Sequence, residues 1–227
     1  MSYVFHFGVV WEHFPRLMAG AWLTITLSVT SALAGLLFAA MLAFLLGNAP
    51  APVRMLIRSY VELFRNTPFL VQLFVIYFSL PALGLRLDPN QAAFIGMALN
   101  FAAYATEIIR AGLGAIAPGQ IEAGRALGLK RFQIFRLVLM PQAVRIVYPA
   151  LTSQFVLLML GSSVIAAISA EDLTAYTNSL QSTTFRSFEF YMAATIIYFI
   201  IAMAFKGLFL FVHWLLFQRT RTLEGRV

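Results

Sequence analysis

Long uncharged segments constrain this chain more than any other feature of its sequence. No Asp, Glu, Lys or Arg occurs from Leu17 to Val53, and none occurs between Arg145 and Glu171. A bilayer core needs about 20 apolar residues in a helix. Hydrophobic residues make up 61% of the chain and charged residues only 11%, too few to cover a water-soluble domain. We therefore predict an integral membrane protein that contacts membrane lipid.

The apolar segments predict an all-α fold, a single membrane domain over residues 1–227 with five transmembrane helices. The predicted spans cover about 18–46, 57–81, 91–113, 146–168 and 190–216, and a polar loop occupies 118–141 between the third and fourth. The apolar run from Phe69 to Leu80 is only about 18 Å long as a helix. The second span must therefore include part of 57–66, and we predict a break at 66–68.

Basic residues predict how the chain lies in the membrane, because cytoplasmic loops carry an excess of Lys and Arg. Arg16, Arg86 and Arg186 fall on one predicted side. The larger set falls on the other: Arg54, Arg58, Arg110, Arg125, Lys130, Arg131, Arg136, Arg145, Arg219, Arg221 and Arg226. We predict an outer amino terminus, a cytoplasmic carboxyl terminus, and an outer segment at 169–189 that is either a docking surface or a solvated loop.

The polar loop at 118–141 reads as two short helices. Pro118 and Gly119 predict the start of the first, and Gly128 predicts its end, because glycine adopts the left-handed conformation that closes a helix. A helix that exposes Ala123, Gly124 and Ala126 has little side-chain bulk, so it can press closely into a groove on a soluble partner.

The same loop resembles the signature of bacterial ABC importer permeases, which reads E-A-A, three residues, G, nine residues, I, any residue, L, P. The matching positions are Glu122, Ala123, Gly124, Gly128, Val138, Met140 and Pro141, with small departures at Gly124, Val138 and Met140. The runs at 61–72, 103–110, 119–129 and 141–143 resemble the polar amino-acid branch of that family. The resemblance covers about residues 18–217.

The resemblance implies a type I permease subunit of a bacterial inner-membrane importer for a polar amino acid. It implies two partner ATPase subunits, which bind ATP and Mg²⁺, a second permease subunit that is identical or paralogous, and a periplasmic or extracellular amino-acid-binding protein. The residues that it places at the ATPase contact are Glu122, Ala123, Gly124, Ala126 and Gly128.

A few polar or small residues interrupt the predicted spans, and these are the candidates for the solute pathway: Thr67, Asn100, Gly161, Ser162 and Ser163. Buried polar groups in a membrane are either contacts between helices or contacts with a solute. Family members often carry a lysine and an acidic residue before the hydroxyl pair, where this chain has Leu160 and Gly161. That departure favours a neutral or acidic amino acid, such as glutamine, glutamate or aspartate.

The spacing of Glu62 with Arg65 and of Glu107 with Arg110 predicts two structural ion pairs on helices. The chain has no cysteine, and no third ligand accompanies its histidines, so we predict no metal site. It has no G-x-x-x-x-G-K-[ST] loop and no hydrolase motif, so we predict no enzyme activity and no cofactor in this chain. The net charge of +7 comes from loops, without a basic face for nucleic acid.

Two other classes of membrane protein remain open at this stage. A secondary transporter would carry its own coupling carboxylates and an internal repeat, and neither is evident here. A structural subunit of a larger membrane complex would explain the absence of catalytic motifs. It would not explain a cytoplasmic helix pair with an alanine-rich face that ends in a glycine.

Overall fold

Helices occupy most of residues 4–218, the part of the chain that the computed structural model describes, and no strand occurs there. The α-helices are α1 Gly8–Glu12, α2 Phe14–Asn48, α3 Ala51–Arg65, α4 Phe69–Phe74, α5 Pro89–Gly114, α6 Pro118–Ala126, α7 Arg131–Gln133, α8 Met140–Gly161, α9 Leu173–Thr184 and α10 Ser187–His213. Helices of π or 3-10 type follow several of them, at Val75–Ser79, Leu80–Leu83, Ile134–Leu139, Ser162–Ile168 and Trp214–Gln218. The all-α fold class is therefore confirmed.

Four helical stretches are long and apolar enough to cross a membrane, and a bent pair supplies a fifth candidate. The four are Phe14–Asn48, Pro89–Gly114, Arg131–Ile168 and Ser187–Phe217. Four of the five predicted spans lie inside these stretches. The other, at 57–81, falls across the bent pair.

The α2 helix packs along α5, and this α2–α5 seam forms the centre of the fold. Ser28 and Ser31 are fully buried on the α2 side, and the Ser31 hydroxyl donates to the Phe94 carbonyl oxygen of α5 at 3.4 Å. A Cβ atom on Gly35 would lie only 2.7 Å from the carbonyl oxygen of Ala98. Small residues at three- and four-residue steps thus let the two backbones approach closely. These residues form a packing face within the chain.

The chain turns by 113° between α3 and the helical stretch Phe69–Leu83. Pro68 precedes the new helix, and its ring and missing N–H prevent α3 from continuing. Ile57 and Val61 bury one side of α3, and the Tyr60 hydroxyl donates to the Leu99 carbonyl oxygen at 2.6 Å. The predicted break at 66–68 is thus a sharp change of direction, and α3 is held against α2 and α5.

The segment at 169–189, which we predict to lie outside, is largely helical. Asp172 starts α9, because its carboxylate accepts a hydrogen bond from the backbone N–H of Ala175 at 2.7 Å. The helix packs against α2 and α10. A Cβ atom on Gly20 would lie 2.9 Å from the Cα of Leu173, so this contact is as close as the one at the centre of the fold.

Candidate functional site

The break between α3 and α4 is stabilised by one buried amide side chain. The Nε2 group of Gln72 donates to the carbonyl oxygens of Phe64 at 2.8 Å and Thr67 at 3.0 Å. It also lies 2.8 Å from the Thr67 hydroxyl oxygen, which itself donates to the Leu63 carbonyl oxygen. Carbonyls at a helix end have no partner within the helix. The Gln72 side chain therefore donates hydrogen bonds to carbonyl oxygens that the break after α3 leaves without a partner.

Asn100 joins the same network from α5. Its Nδ2 group donates to Oε1 of Gln72 at 2.9 Å. The Asn100 side chain is half-buried, and within residues 4–218 its amide oxygen accepts no hydrogen bond. Because the NH2 group of Asn100 is hydrogen-bonded and its oxygen is not, that oxygen can accept a hydrogen bond from the amino group of a solute.

The three remaining pathway candidates lie at the end of α8 and are not hydrogen-bonded to this network. The Ser162 hydroxyl is fully buried and donates to the Met159 carbonyl oxygen at 2.8 Å. The Ser163 hydroxyl donates to the Leu160 carbonyl oxygen at 3.0 Å and is half-buried. A Cβ atom on Gly161 would meet no described atom within 4 Å. Of these three, Gly161 and Ser163 border open space.

The segment with these serines nevertheless lies close to the break. The 3-10 stretch Ser162–Ile168 packs against α4, which carries Gln72. The structure therefore places the predicted pathway residues at the break, on α5 and at the junction of α8 with the 3-10 stretch. Thr67 and Asn100 are connected through Gln72, and Ser163 lies on the adjoining element.

Gln72 is the residue that the sequence analysis missed. It is the one amide in the apolar run from Phe69 to Leu80, and it is buried. A buried amide requires partners because an unpaired polar group in an apolar interior is costly. A glutamine that follows a predicted break by a few residues was the signal that could have identified it.

The two predicted ion pairs have different outcomes. Arg110 pairs with Glu107 through two hydrogen bonds, one of them from Nε at 2.9 Å, and this prediction is confirmed. The prediction for Glu62 and Arg65 is wrong. The Glu62 carboxylate accepts a hydrogen bond from the Asn66 side chain at 2.8 Å, and the Arg65 guanidinium lies 5.8 Å from the centre of the Tyr104 ring. Asn66 lies one helical turn after Glu62, whereas Tyr104 belongs to α5, so helical spacing alone could not reveal the partner of Arg65.

The polar loop at 118–141 contains two helical pieces, Pro118–Ala126 and 131–139, joined by a tight turn, and its last two residues begin α8. Gly128 has φ of 73°, and its N–H donates to the Arg125 carbonyl oxygen at 2.9 Å. The next N–H, of Leu129, donates to the Gly124 carbonyl oxygen at 3.1 Å. This pair of bonds is the Schellman arrangement that closes a helix. The predicted helix end at Gly128 is confirmed.

Gly124 does not face outward, which corrects the prediction that it lies on the exposed face of α6. It is buried, and a Cβ atom there would lie 3.0 Å from Cγ1 of Ile134. Its role is to let α6 pack against Ile134–Leu139. Glu122, Ala123 and Ala126 are exposed, as predicted.

The outward surface of the polar loop carries large apolar side chains between basic ones. Leu127 is 79% exposed and Phe132 is 69% exposed. The exposed basic residues around them are Arg125, Lys130, Arg131 and Arg136. Leu127 and Phe132 thus stand exposed on either side of the turn at Gly128. Within residues 4–218 no group of three His, Cys, Asp or Glu is placed to hold a metal ion.

Comparison with known proteins identifies relatives over nearly the whole chain. Residues 31–222 match the family described as the binding-protein-dependent transport system inner membrane component. The octopine transport system permease protein of Rhizobium meliloti is 34% identical, over 93% of this chain and 90% of its own length. A probable glutamine ABC transporter permease protein of Bacillus subtilis (strain 168) is 34% identical, over 86% of this chain and 90% of its own length.

A solved structure is similar as well. The crystal structure of an amino acid ABC transporter with histidines contains a chain that superimposes with a TM-score of 0.87 at 33% identity. The match covers 93% of this chain and 99% of that one.

Proposed function

Because this chain belongs to the family of binding-protein-dependent transport system inner membrane components, we propose that its polar loop docks onto a separate ATPase that drives transport. The chain is a permease subunit of an amino-acid ABC importer, as its sequence predicts, and not a secondary transporter or a structural subunit. It is a multi-pass membrane component and not a catalytic subunit.

The observation that carries the docking proposal is the exposure of Leu127 and Phe132 at the turn of the loop. Covering such a side chain contributes about 1.5–3 kcal/mol relative to leaving it in water. The exposed Glu122 and the surrounding arginines would orient the contact. The ATPase would bind ATP and Mg²⁺, since the sequence of this chain has no phosphate-binding loop of the usual kind.

The distribution of basic residues supports an orientation with the polar loop and the carboxyl terminus in the cytoplasm of a bacterium and the amino terminus outside. Open space next to Gly161 supports a pathway that a second permease subunit, identical or paralogous, completes. We propose an assembly of two permeases, two ATPases and an external amino-acid-binding protein. The mass of the intact detergent-solubilised complex measures how many permease and ATPase subunits it contains.

The solute proposed for this chain is a neutral or acidic amino acid that the Asn100 amide contacts. The carboxylate of Glu107, on the same helix as Asn100, is already paired with Arg110. A cationic side chain would therefore find no free carboxylate on α5. A relative is named for glutamine transport, which agrees with a neutral polar amino acid.

The experiment is the Leu127→Asp variant, purified with its ATPase and reconstituted into proteoliposomes. We expect the bound ATPase and the ATP-driven uptake of glutamine to fall at least about tenfold, because a buried charge replaces a buried apolar anchor. The matched control is Leu83→Asp, which changes a 77% exposed leucine on the proposed outer side. The same assay compares uptake of glutamine, glutamate and arginine.

Two outcomes would contradict these proposals separately. Normal ATPase binding and stimulation in Leu127→Asp would exclude the loop as the docking surface. Preferred uptake of arginine by the unchanged complex would leave the docking proposal intact and overturn the proposal for the solute.

A further inference from the structure

A second binding surface lies between α8 and α10, away from both the break and the polar loop. A groove of about 580 Å³ opens between these helices. The two helices run antiparallel, because the Tyr148 hydroxyl donates to the Phe209 carbonyl oxygen at 2.8 Å while the Phe155 ring packs 4.7 Å from that of Phe205. Both helices belong to long apolar stretches, so the groove lies within the part of the chain that can span a membrane.

Lys206 is the charged residue of this groove. It is exposed, and within residues 4–218 no carboxylate lies within ion-pair distance of it. It precedes His213 by two helical turns, about 10 Å along the axis of α10. A charged residue at this depth is costly and rare unless it has a partner. Lys206 therefore requires an anion that the described part of this chain does not supply.

The direction of α10 makes it harder for Lys206 to escape to water. Side chains on a helix tilt toward its amino-terminal end. In the proposed orientation, that end of α10 is the outer one, so the first bonds of the Lys206 side chain point toward the bilayer centre. Its ammonium reaches the inner interface only by bending back along the groove.

The rest of the groove combines hydroxyl groups with apolar side chains. Thr152 and Ser153 lie on the α8 wall, and Val156, Leu157 and Leu210 line the remainder. The Thr152 hydroxyl donates to the Pro149 carbonyl oxygen at 3.0 Å, and Ser153 is exposed and can donate to a ligand. No acidic residue lines the groove. The lining thus suits a molecule with one anionic group and a long hydrocarbon chain.

We propose that this groove binds one anionic phospholipid, whose phosphate pairs with the Lys206 ammonium and whose acyl chain lies against Val156, Leu157 and Leu210. Basic pockets between transmembrane helices on the cytoplasmic side are typical sites for anionic lipid headgroups. The choice of the inner leaflet rests on the orientation given under the proposed function. The pairing of phosphate and ammonium does not depend on it.

The test uses the permease–ATPase complex in nanodiscs made from equal amounts of phosphatidylglycerol and phosphatidylcholine. Lipid that remains bound after transfer to detergent is counted by native mass spectrometry. We expect retained phosphatidylglycerol to fall about fivefold in Lys206→Met, with phosphatidylcholine unchanged. Lys206→Arg, which keeps the charge, should retain the lipid.

The control is Arg86→Met, because Arg86 is exposed and belongs neither to the groove nor to the polar loop. It removes one positive charge without touching the groove or the proposed ATPase contact. The proposal would be overturned if Arg86→Met lost as much phosphatidylglycerol as Lys206→Met, or if Lys206→Met lost none. Equal retention of both lipids by the unchanged complex would overturn it as well. Loss of a protein subunit from Lys206→Met would show that Lys206 pairs with a protein carboxylate. ATPase stimulation, measured in parallel, tests the docking proposal independently.

Discussion

The α2–α5 seam and the polar loop both depend on small residues, but they use them in opposite ways. In the seam, Gly35 brings two backbones together, with a would-be Cβ 2.7 Å from the Ala98 carbonyl oxygen. In the loop, Gly124 makes room for the Ile134 side chain, and Gly128 turns the chain so that Leu127 faces outward. Both surfaces of the seam belong to this chain. The exposed surface of the polar loop, by contrast, is not covered by any of residues 4–218.

This difference shows how one chain separates folding from assembly. A contact between backbones cannot relax without moving a whole helix, so the seam is a rigid support. A contact with an isoleucine side chain can relax by a change of rotamer. Substitutions in the seam should therefore affect folding, and substitutions in the loop should affect coupling.

The largest effect is expected from Gly35→Leu. The new side chain would collide with the α5 backbone, so the helices must separate, and we expect a loss of more than about 4 kcal/mol of stability. Gly47→Leu is the control, since a Cβ atom at Gly47, on the same helix, would meet no described atom within 4 Å. Size-exclusion chromatography and thermal unfolding in detergent measure both variants. A well-folded Gly35→Leu protein would show that the seam is not a rigid contact.

A smaller effect, confined to coupling, is expected from Gly128→Ala. A left-handed conformation costs a residue with a Cβ atom about 1–2 kcal/mol, so the turn that presents Leu127 is populated less. We expect ATPase stimulation to fall about tenfold, with little change in the thermal stability of the permease. Gly119→Ala is the control, because Gly119 lies in helical backbone with open space around it. Equal stimulation in the two variants would mean that the turn is not required.

The positions of the helices were accessible from the sequence, because uncharged runs and small-residue steps report directly on burial in a membrane. Thr24, Ser28 and Ser31 follow one another at steps of four and three residues, a spacing typical of one packed helix face, and all three are buried. The break at 66–68 was accessible as well, because the following apolar run is too short to span a bilayer. Sequence patterns that repeat once per helical turn thus predict well which residues form helices and which helix faces are buried.

The details of the candidate site were less accessible, since they depend on contacts across the break. Arg65 contacts Tyr104, and Gln72 links Thr67 to Asn100, because a turn of 113° brings α3, α4 and α5 together. Helical spacing cannot reveal such partners. The inward orientation of Gly124 has the same origin, as it depends on how α6 packs on Ile134.

A buried acid, Asp172, lies at the start of α9, where α9 packs against α2 and α10. The Asp172 side chain is fully buried, and its Oδ2 accepts a hydrogen bond from the Tyr198 hydroxyl at 2.9 Å. Nearby, the Leu173 N–H donates to the Thr24 hydroxyl oxygen at 3.0 Å, which ties α9 to α2. Burial raises the pKa of the Asp172 carboxyl from 3.8 to about 6, against the hydrogen bonds from Ala175 and Tyr198, which lower it.

The smallest effect is expected from pH acting on this acid. The folded protein binds a proton at Asp172 more readily than the unfolded chain does, so stability rises as pH falls from about 6 toward 4. Between pH 7.5 and 5 we expect a gain of about 1 kcal/mol, or a few degrees in the unfolding temperature. Asp172→Asn keeps an acceptor at the start of α9 but cannot titrate, so this part of the pH dependence should disappear. When the stability of one protein is subtracted from that of the other at each pH, the contributions of all other titrating groups cancel. Parallel stability curves for the two proteins would show that the start of α9 holds a buried carboxylate without cost to stability.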